Sequence, residues 1–231
     1  MVDLVEQPFN CVHCGKSFMK ERTLFSHLCE GKRRSMQQGE KRVLAGFMAY
    51  NRFYQITQNI KKLKTYDEFC KSSFYNAFVK FGSFVNNINP LYPDKFIDYV
   101  IKSGVKLDHW CKDELYEKYL YETIKTEPVE SAMQRSLQTM MEWGDVSQAQ
   151  FNHYFNYVNH NRAVHDIRNG RISPWILLNC TSGKTMLEKF NDEHLNLIAP
   201  ALDLPFWVSH FKKRKEDVEL VKEICREADV Q

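Results

Sequence analysis

The stretch FNCVHCGKSFMKERTLFSHLC, from Phe9 to Cys29, decides how the front of this chain folds. Two residues separate Cys11 from Cys14, a spacing that lets a tight turn direct both thiolates at one ion. Twelve residues then lead to His27. A module of about thirty residues buries too little surface to fold unaided, so a metal has to supply much of its stability. Thiolates and imidazole in this pattern favour tetrahedral Zn²⁺.

Apolar residues occur where so small a module needs its minimal core, at Phe9, Phe18 and Leu24. Together with the cysteine pair and His27, they place the segment in the register of the two-cysteine, two-histidine zinc finger, which it resembles. The resemblance implies a β-hairpin, a helix from about Lys20 and a structural zinc ion as cofactor. It covers about a tenth of the chain.

The fourth ligand departs from the family pattern. The family's second histidine follows the first by one helical turn, but Gly31 stands there. Cys29 is the candidate in its place. Because residues i and i+2 lie about 200° apart around an α-helix, the helix then has to end just after His27. We expect Gly31 to allow this by adopting a positive φ beyond the helix end. The alternatives are His13, which has poorer geometry, and a ligand from outside the chain.

The resemblance also implies that side chains along the finger helix read base edges of DNA. By register from His27, the corresponding positions are Lys20, Arg22, Thr23 and Ser26. A lone finger contacts only about three base pairs, so the basic residues that follow are expected to extend the interface along the phosphates. These residues are Lys32, Arg33, Arg34, Lys41 and Arg42. Of the whole set, Lys20 is the best candidate to read a base, by donating to guanine. A finger that binds protein is the alternative.

The charge distribution supports an anionic partner. The net charge of the 231 residues is only +3, but residues 9–64 carry twelve Lys and Arg against three acids, a net charge of +9. Residues 1–8 carry −2 and residues 65–231 carry −4. A basic front on a mildly acidic body predicts DNA contacts at one end of the molecule. The mildly acidic body is expected to bind a protein.

The composition, with 43% hydrophobic and 26% charged residues, is that of a globular protein and excludes a disordered or collagen-like chain. No apolar run approaches the roughly 18–20 residues that span a bilayer, and no signal peptide is visible, so we expect an intracellular protein. In a reducing compartment, isolated cysteines are buried thiols rather than disulfides. These are Cys70, Cys111, Cys180 and Cys225.

The rest of the chain shows helical periodicity, together with residues that are typical of helix starts and ends. Leu44, Phe47 and Met48 begin one apolar stripe, Pro93 suits a helix start and Gly104 a helix stop. We expect the rings of Tyr50, Phe53 and Tyr54 to face the protein core from a helix rather than to stack on bases. The sequence therefore predicts a mostly α protein: a small ββα zinc finger with a basic extension over residues 1–34, and a compact many-helix domain over residues 35–231.

Two further resemblances concern the whole chain. Its RTLFSHLC, KRR, FYNAFVKFG and NGRISPWILLN segments are similar to a family of uncharacterised tailed-phage proteins that join such a finger to a helical body. The run Asn169–Ser173 with the apolar Ile176–Leu178 is similar to the helicase-loading proteins of T-even-type phages. Those proteins are small, basic, all-α and DNA-binding. The resemblance implies a phage protein in the host cytoplasm that works with replication or transcription machinery.

A cluster of histidines, His153, His160 and His165, offers a different function. Small nucleases use such residues to hold a metal, so a metal-dependent endonuclease is a lesser alternative. No nucleophile elbow, dinucleotide loop or spaced carboxylate pair accompanies the cluster. We therefore expect a non-catalytic, zinc-dependent DNA-binding accessory factor that recruits or positions replication or transcription machinery, with Cys11, Cys14, His27 and Cys29 as metal ligands. A zinc-stabilised protein–protein adaptor is the main alternative.

Overall fold

The computed structural model describes residues 8–230. It begins with an antiparallel hairpin of two short strands, β1 (Phe9–Asn10) and β2 (Ser17–Phe18), followed by α1 (Glu21–Ser26). Helices make up almost all the regular structure that follows. The predicted class, mostly α with a small ββα element at the N terminus, is confirmed.

The chain divides after Leu115 into two compact units. The first contains the ββα element and the helices α2 (Glu30–Met36), α3 (Lys41–Gln58), α4 (Tyr66–Lys71), α5 (Tyr75–Ile88) and α6 (Pro93–Lys102). The boundary predicted between residues 34 and 35 falls inside α2, and residues 1–7 of the predicted module lie outside the described residues. That the finger folds as a separate module stays a prediction.

Two glycines let α3 and α5 cross at close range. A Cβ placed on Gly82 of α5 would overlap the backbone of Arg42 and Gly46 on α3. A Cβ on Gly46 would come within 2.6 Å of the Phe78 carbonyl oxygen, so both positions have to be glycine for this approach.

Buried aromatic rings fill the space around this crossing. Tyr50 packs against Phe69 and Phe78, with ring centroids 4.9 and 5.4 Å away. Since Tyr50 is buried and Phe53 and Tyr54 are half-buried, the prediction that these rings face the core is confirmed.

The boundary falls in the first turn of α7 (Asp113–Thr126). The second unit contains the rest of α7 and the helices α8 (Val129–Ser147), α9 (Tyr154–Tyr157), α10 (His160–Arg168), α11 (Pro174–Leu177), α12 (Thr181–Glu188), α13 (Asp192–Leu202), α14 (Leu204–Lys213) and α15 (Lys215–Glu227). Its core holds Trp175 and Trp207, whose ring centroids are 5.7 Å apart and whose side chains are almost completely buried.

Several helix ends follow local chemistry. Pro93 occupies the first turn of α6, and Gly104, at φ 70°, lies just beyond its end, as predicted. Thr65 and Glu68 form a reciprocal capping box at the start of α4.

Two other helices contain residues that often mark a helix end. α8 continues past Gly144 to Ser147, and the missing Cβ at Gly144 leaves room for the Ala149 carbonyl oxygen, 2.8 Å from the ideal Cβ position. Pro205 lies in the first turn of α14, where proline is tolerated.

Three of the four isolated cysteines are buried as predicted: Cys70, Cys180 and Cys225. Cys111 is only half-buried, so that part of the prediction is wrong. Among residues 8–230, no helix combines the length and the apolar character needed to cross a membrane.

Candidate metal centre

A tight turn between β1 and β2 presents the first two candidate ligands. The Cys11 N–H donates to the Lys16 carbonyl at 2.8 Å, and the Gly15 N–H donates to the Cys11 carbonyl at 2.7 Å. Gly15 has φ 73°, a left-handed conformation that glycine adopts at little cost. The CxxCG sequence thus folds into a compact knuckle that holds Cys11 and Cys14 side by side.

Four candidate ligands converge beside this knuckle. The ligand atoms of Cys11, Cys14, His27 and Cys29 all lie within 4.8 Å of one another. The sulfurs of Cys11 and Cys29 are 3.8 Å apart, and the Cys14 sulfur is 3.2 Å from His27 Nε2. Zinc–sulfur bonds of about 2.3 Å in a tetrahedron place two sulfurs about 3.8 Å apart. The four residues therefore form a group that can hold a metal ion, and its donor set fits zinc.

The chain reaches this arrangement by breaking the helix between His27 and Cys29. α1 ends at Ser26, and His27 has extended backbone angles, φ −67° and ψ 122°. Cys29 is also extended and caps the start of α2. The predicted break between the two ligands is confirmed, although the helix ends at Ser26, just before His27 rather than just after it. The break removes the 200° separation that a continuous helix would impose on His27 and Cys29.

The role predicted for Gly31 is wrong. Gly31 lies inside α2 and is not among the residues with positive φ. Its function is to make room: a Cβ at Gly31 would lie 2.9 Å from the His13 carbonyl oxygen. α2 can therefore pack directly against the knuckle. His13 itself is exposed and does not belong to the ligand group.

Backbone N–H groups stabilise the sulfurs. Burial raises the pKa of the Cys11 thiol, but hydrogen bonds from the backbone at His13 and Cys14 outweigh it, and the pKa is lowered. A hydrogen bond from the backbone at Lys16 also lowers the pKa of the Cys14 thiol. Burial and the neighbouring sulfurs outweigh it, so the pKa of Cys14 is raised.

The third thiol has a similar partner. The Cys29 sulfur accepts a hydrogen bond from the Lys32 N–H at 3.4 Å. An N–H group that donates to a thiolate in this way helps to orient it toward an ion, and a divalent cation between the sulfurs would remove their mutual repulsion.

Packing around the site is sparse. The His27 ring lies against Phe18, with centroids 4.8 Å apart, and Leu24 is half-buried. Phe9, expected in the minimal core, is 40% exposed. So little apolar surface is removed from water that an ion held by the four candidate ligands would have to supply much of the stability of the ββα element.

The predicted DNA-reading residues share one exposed surface. Lys20 precedes α1, and Arg22, Thr23 and Ser26 lie along it; all four are exposed. The Ser26 hydroxyl donates to the Thr23 carbonyl at 3.2 Å. Within residues 8–230, neither Lys20 nor Arg22 forms an ion pair, so both cations remain available to an anion.

The predicted phosphate contacts divide into two groups. Arg33 and Lys41 are exposed and, in the described part of the chain, have no carboxylate partner. Lys32, by contrast, donates to the carbonyls of Phe25 and His27 at 3.0 and 3.1 Å, which closes the end of α1.

Two predicted arginines have partners within the protein. Arg34 donates to the Cys70 carbonyl at 2.7 Å and stacks over Tyr75, with its guanidinium carbon 4.5 Å from the ring centroid. Its side chain is only 14% exposed, so it fixes α2 to the α4–α5 region. Arg42 pairs with Glu40 at 2.7 Å and keeps half of its side chain exposed.

The three histidines of the nuclease alternative do not converge. The His153 ring packs against Tyr157, and His160 packs against Phe190. His165 lies 3.3 Å from a carboxylate oxygen of Asp166. Among the residues that the structure describes, they form no metal-binding group.

Asp166 is instead a buried structural carboxylate. It accepts hydrogen bonds from the Tyr154 hydroxyl at 2.9 Å and from Arg162 Nε at 2.7 Å. Burial and this negative charge raise the pKa of Tyr154, which therefore stays a neutral hydrogen-bond donor.

The resemblance to helicase loaders depends on the NGRIS segment, Asn169–Ser173. This segment is a loop between α10 and α11, and hydrogen bonds join it to α8. Arg135 Nε donates to the Gly170 carbonyl at 2.7 Å, and the Ser173 N–H donates to the Ser136 hydroxyl at 2.9 Å. Ile172 and Ser173 are fully buried. The segment organises the core of the second unit, and the resemblance to helicase loaders stays a prediction.

One feature of the finger was missed by sequence reasoning. Val12 is 92% exposed and Phe25 is 84% exposed, and together with Leu24 they line a cleft of about 290 Å³ between the knuckle and α1. The sequence did contain a hint of this surface, because Val12 and Phe25 are apolar but lie outside the minimal core of the finger.

No family model matches this chain, and neither a curated protein nor a solved structure matches it.

Proposed function

We propose that the Cys11–Cys14–His27–Cys29 group holds a structural zinc ion, and that the finger so formed binds DNA as a non-catalytic accessory factor for phage replication or transcription. The observation that carries the proposal is the convergence of four zinc-type ligand atoms beside an exposed helix. All four positions around the ion are supplied by the chain, which is typical of structural rather than catalytic zinc.

The electrostatics of the finger support DNA as the anionic partner. Lys20, just before α1, and Arg22, in α1, are exposed, and α2 presents a further exposed cation, Arg33. A surface of few cations gives weak binding that counterion release makes strongly salt-dependent. Arg34 is left out of this set because its guanidinium has partners within the protein.

The test measures binding of the zinc-loaded full chain to a labelled duplex and to the matching single strand, by fluorescence anisotropy over a series of salt concentrations. The double variant Lys20→Glu/Arg22→Glu is expected to weaken binding and to lower the slope of log K against log salt by about 2. The control Lys212→Glu/Lys213→Glu makes the same change in net charge on α14 and is expected to bind as the wild type does. Equal losses in both variants would contradict a specific finger surface.

A protein-binding finger is the second candidate, and the apolar cleft favours it. Val12 and Phe25 expose large apolar side chains next to the polar surface of α1. Such exposure on so small a module is typical of a protein contact. If the zinc-loaded wild type binds neither duplex nor single strand at low salt, the adaptor function replaces DNA binding.

A further inference from the structure

The first unit contains a second surface, which the finger does not explain. An open groove of about 500 Å³ lies between α3 and α6. Phe47 and Ile97 lie in it, and Leu44, Met48 and Leu63 line it while remaining 50%, 44% and 59% exposed. Apolar side chains exposed side by side in this way mark an interaction surface more often than a solvated one.

Three polar side chains in the groove have partners within the protein. Arg52 forms a two-pronged ion pair with Asp98, and its Nη2 lies 2.6 Å from Asp98 Oδ2. The side-chain oxygen Oδ1 of Asn51 accepts from the Lys64 N–H at 2.7 Å, and the Asn51 side-chain amide donates to the Phe47 carbonyl. Because these three side chains are engaged within the protein, the groove offers a ligand mainly apolar contact along α3.

The charges around the groove are predominantly basic. Lys41 lies three residues before Leu44 and seven before Met48, on the same face of α3. Lys61 and Lys62 directly precede Leu63 and are exposed. Within residues 8–230, none of these three lysines forms an ion pair.

At the start of α6, the adjacent Asp94 and Lys95 offset one another in net charge. The surroundings of the groove therefore favour an acidic occupant.

We propose that this groove binds an amphipathic helix of a partner protein, with apolar residues at i, i+3 or i+4 and i+7 and with acidic residues beside them. The residues of α3 that line the groove run from Leu44 to Gln55, which is about 16 Å of helix and matches about three turns of a bound helix. An apolar anchor stripe laid into a groove is a common mode of peptide recognition.

The two simplest other occupants fit the groove less well. A nucleic acid has the charge to meet Lys41 and Lys62 but no apolar stripe to cover Leu44 and Met48. A second copy in a two-fold arrangement would place this basic surface against itself, and like charges across an interface are costly.

This inference rests on the accessory role in the proposed function, for which the groove supplies a docking surface. It is nevertheless tested separately. The groove residues lie on α3, α6 and the loop at Leu63, so loss of DNA binding through Lys20 and Arg22 leaves the groove intact.

In the experiment, peptides of about sixteen residues are selected from a random library for binding to the zinc-loaded full-length protein in the absence of DNA. The variant Met48→Glu is the counter-target, and Val146→Glu is the matched control because Val146 is 87% exposed on α8. Enriched peptides are expected to carry the apolar helical spacing with flanking acids. A synthetic peptide of the most enriched sequence is expected to bind Met48→Glu at least about tenfold more weakly than the wild type or Val146→Glu.

Three results would overturn the proposal: no enrichment over Met48→Glu, enriched peptides that are basic or lack the helical spacing, or a wild-type dimer in sedimentation that Met48→Glu abolishes. The last result would assign the groove to a second copy. Circular dichroism checks that Met48→Glu folds. If it does not, Leu63→Ser, in the loop after α3, takes its place with the same expected loss.

Discussion

Removing the unusual fourth ligand is the sharpest perturbation of the metal centre. Cys29→Ser deletes the sulfur that lies 3.8 Å from the Cys11 sulfur. Structural zinc sites in finger peptides bind with about 10–16 kcal/mol of apparent free energy. Divided evenly over four ligands, this is roughly 2.5–4 kcal/mol each, so the variant is expected to bind zinc about 10²–10³-fold more weakly.

The assay is competition for zinc against a chromogenic chelator, followed by cobalt substitution to count sulfur ligands from the charge-transfer absorbance. His13→Ala is the matched control, since His13 lies between the paired cysteines but is exposed and outside the ligand group. Its zinc affinity is expected to equal that of the wild type. Unchanged affinity in Cys29→Ser together with a large loss in His13→Ala would refute the ligand assignment. Metal analysis that finds no zinc in the purified protein would refute the site itself.

Three further predictions concern packing and charge. Gly31→Ala places a methyl group against the backbone of the knuckle and is expected to destabilise the metal-bound finger by about 1–3 kcal/mol, measured as a lower zinc affinity. Gly82→Ala is expected to destabilise the protein by about 3 kcal/mol in urea unfolding, whereas Gly39→Ala, with nothing within 4 Å of its Cβ position, is expected to change little; equal effects would contradict the close helix crossing. Hydrogen bonding to Arg52 lowers the pKa of Asp98, so the stabilisation from this pair is present at neutral pH and is lost as the pH falls through that lowered pKa. A carboxyl titration by NMR is expected to show the pKa of Asp98 below 3.8 and rising in Arg52→Gln; no rise would contradict the pairing.

The metal centre was the part most fully determined by sequence. Its ligands lie close together along the chain, so spacing alone limits their geometry. The 200° separation of residues i and i+2 on a helix even predicted that α1 ends before Cys29. Local signals also predicted the start of α6 at Pro93 and its end before Gly104. What spacing did not show was the reason for Gly31, which depends on a contact with His13, eighteen residues earlier.

The environments of three neighbouring cations could not be predicted from the sequence. Lys32, Arg33 and Arg34 are neighbours in sequence and equal in formal charge, yet each has a different environment. Arg33 is exposed, Lys32 closes α1, and Arg34 is held by the Cys70 carbonyl and the Tyr75 ring. Partners that lie more than thirty residues away along the chain leave no mark in local composition, so charge counting overstates the surface available to DNA.

The sequence by itself determined the helical class, the ββα element and the four residues that converge as candidate metal ligands, because short-range spacing and periodicity specify them. Tertiary structure alone decided which apolar residues are core and which are surface. Leu44 and Met48 belong to the same helical stripe as the half-buried Phe47, and only the position of α6 leaves them exposed in a groove. Periodicity shows which face of a helix is apolar, whereas the packing of distant segments decides whether that face is covered.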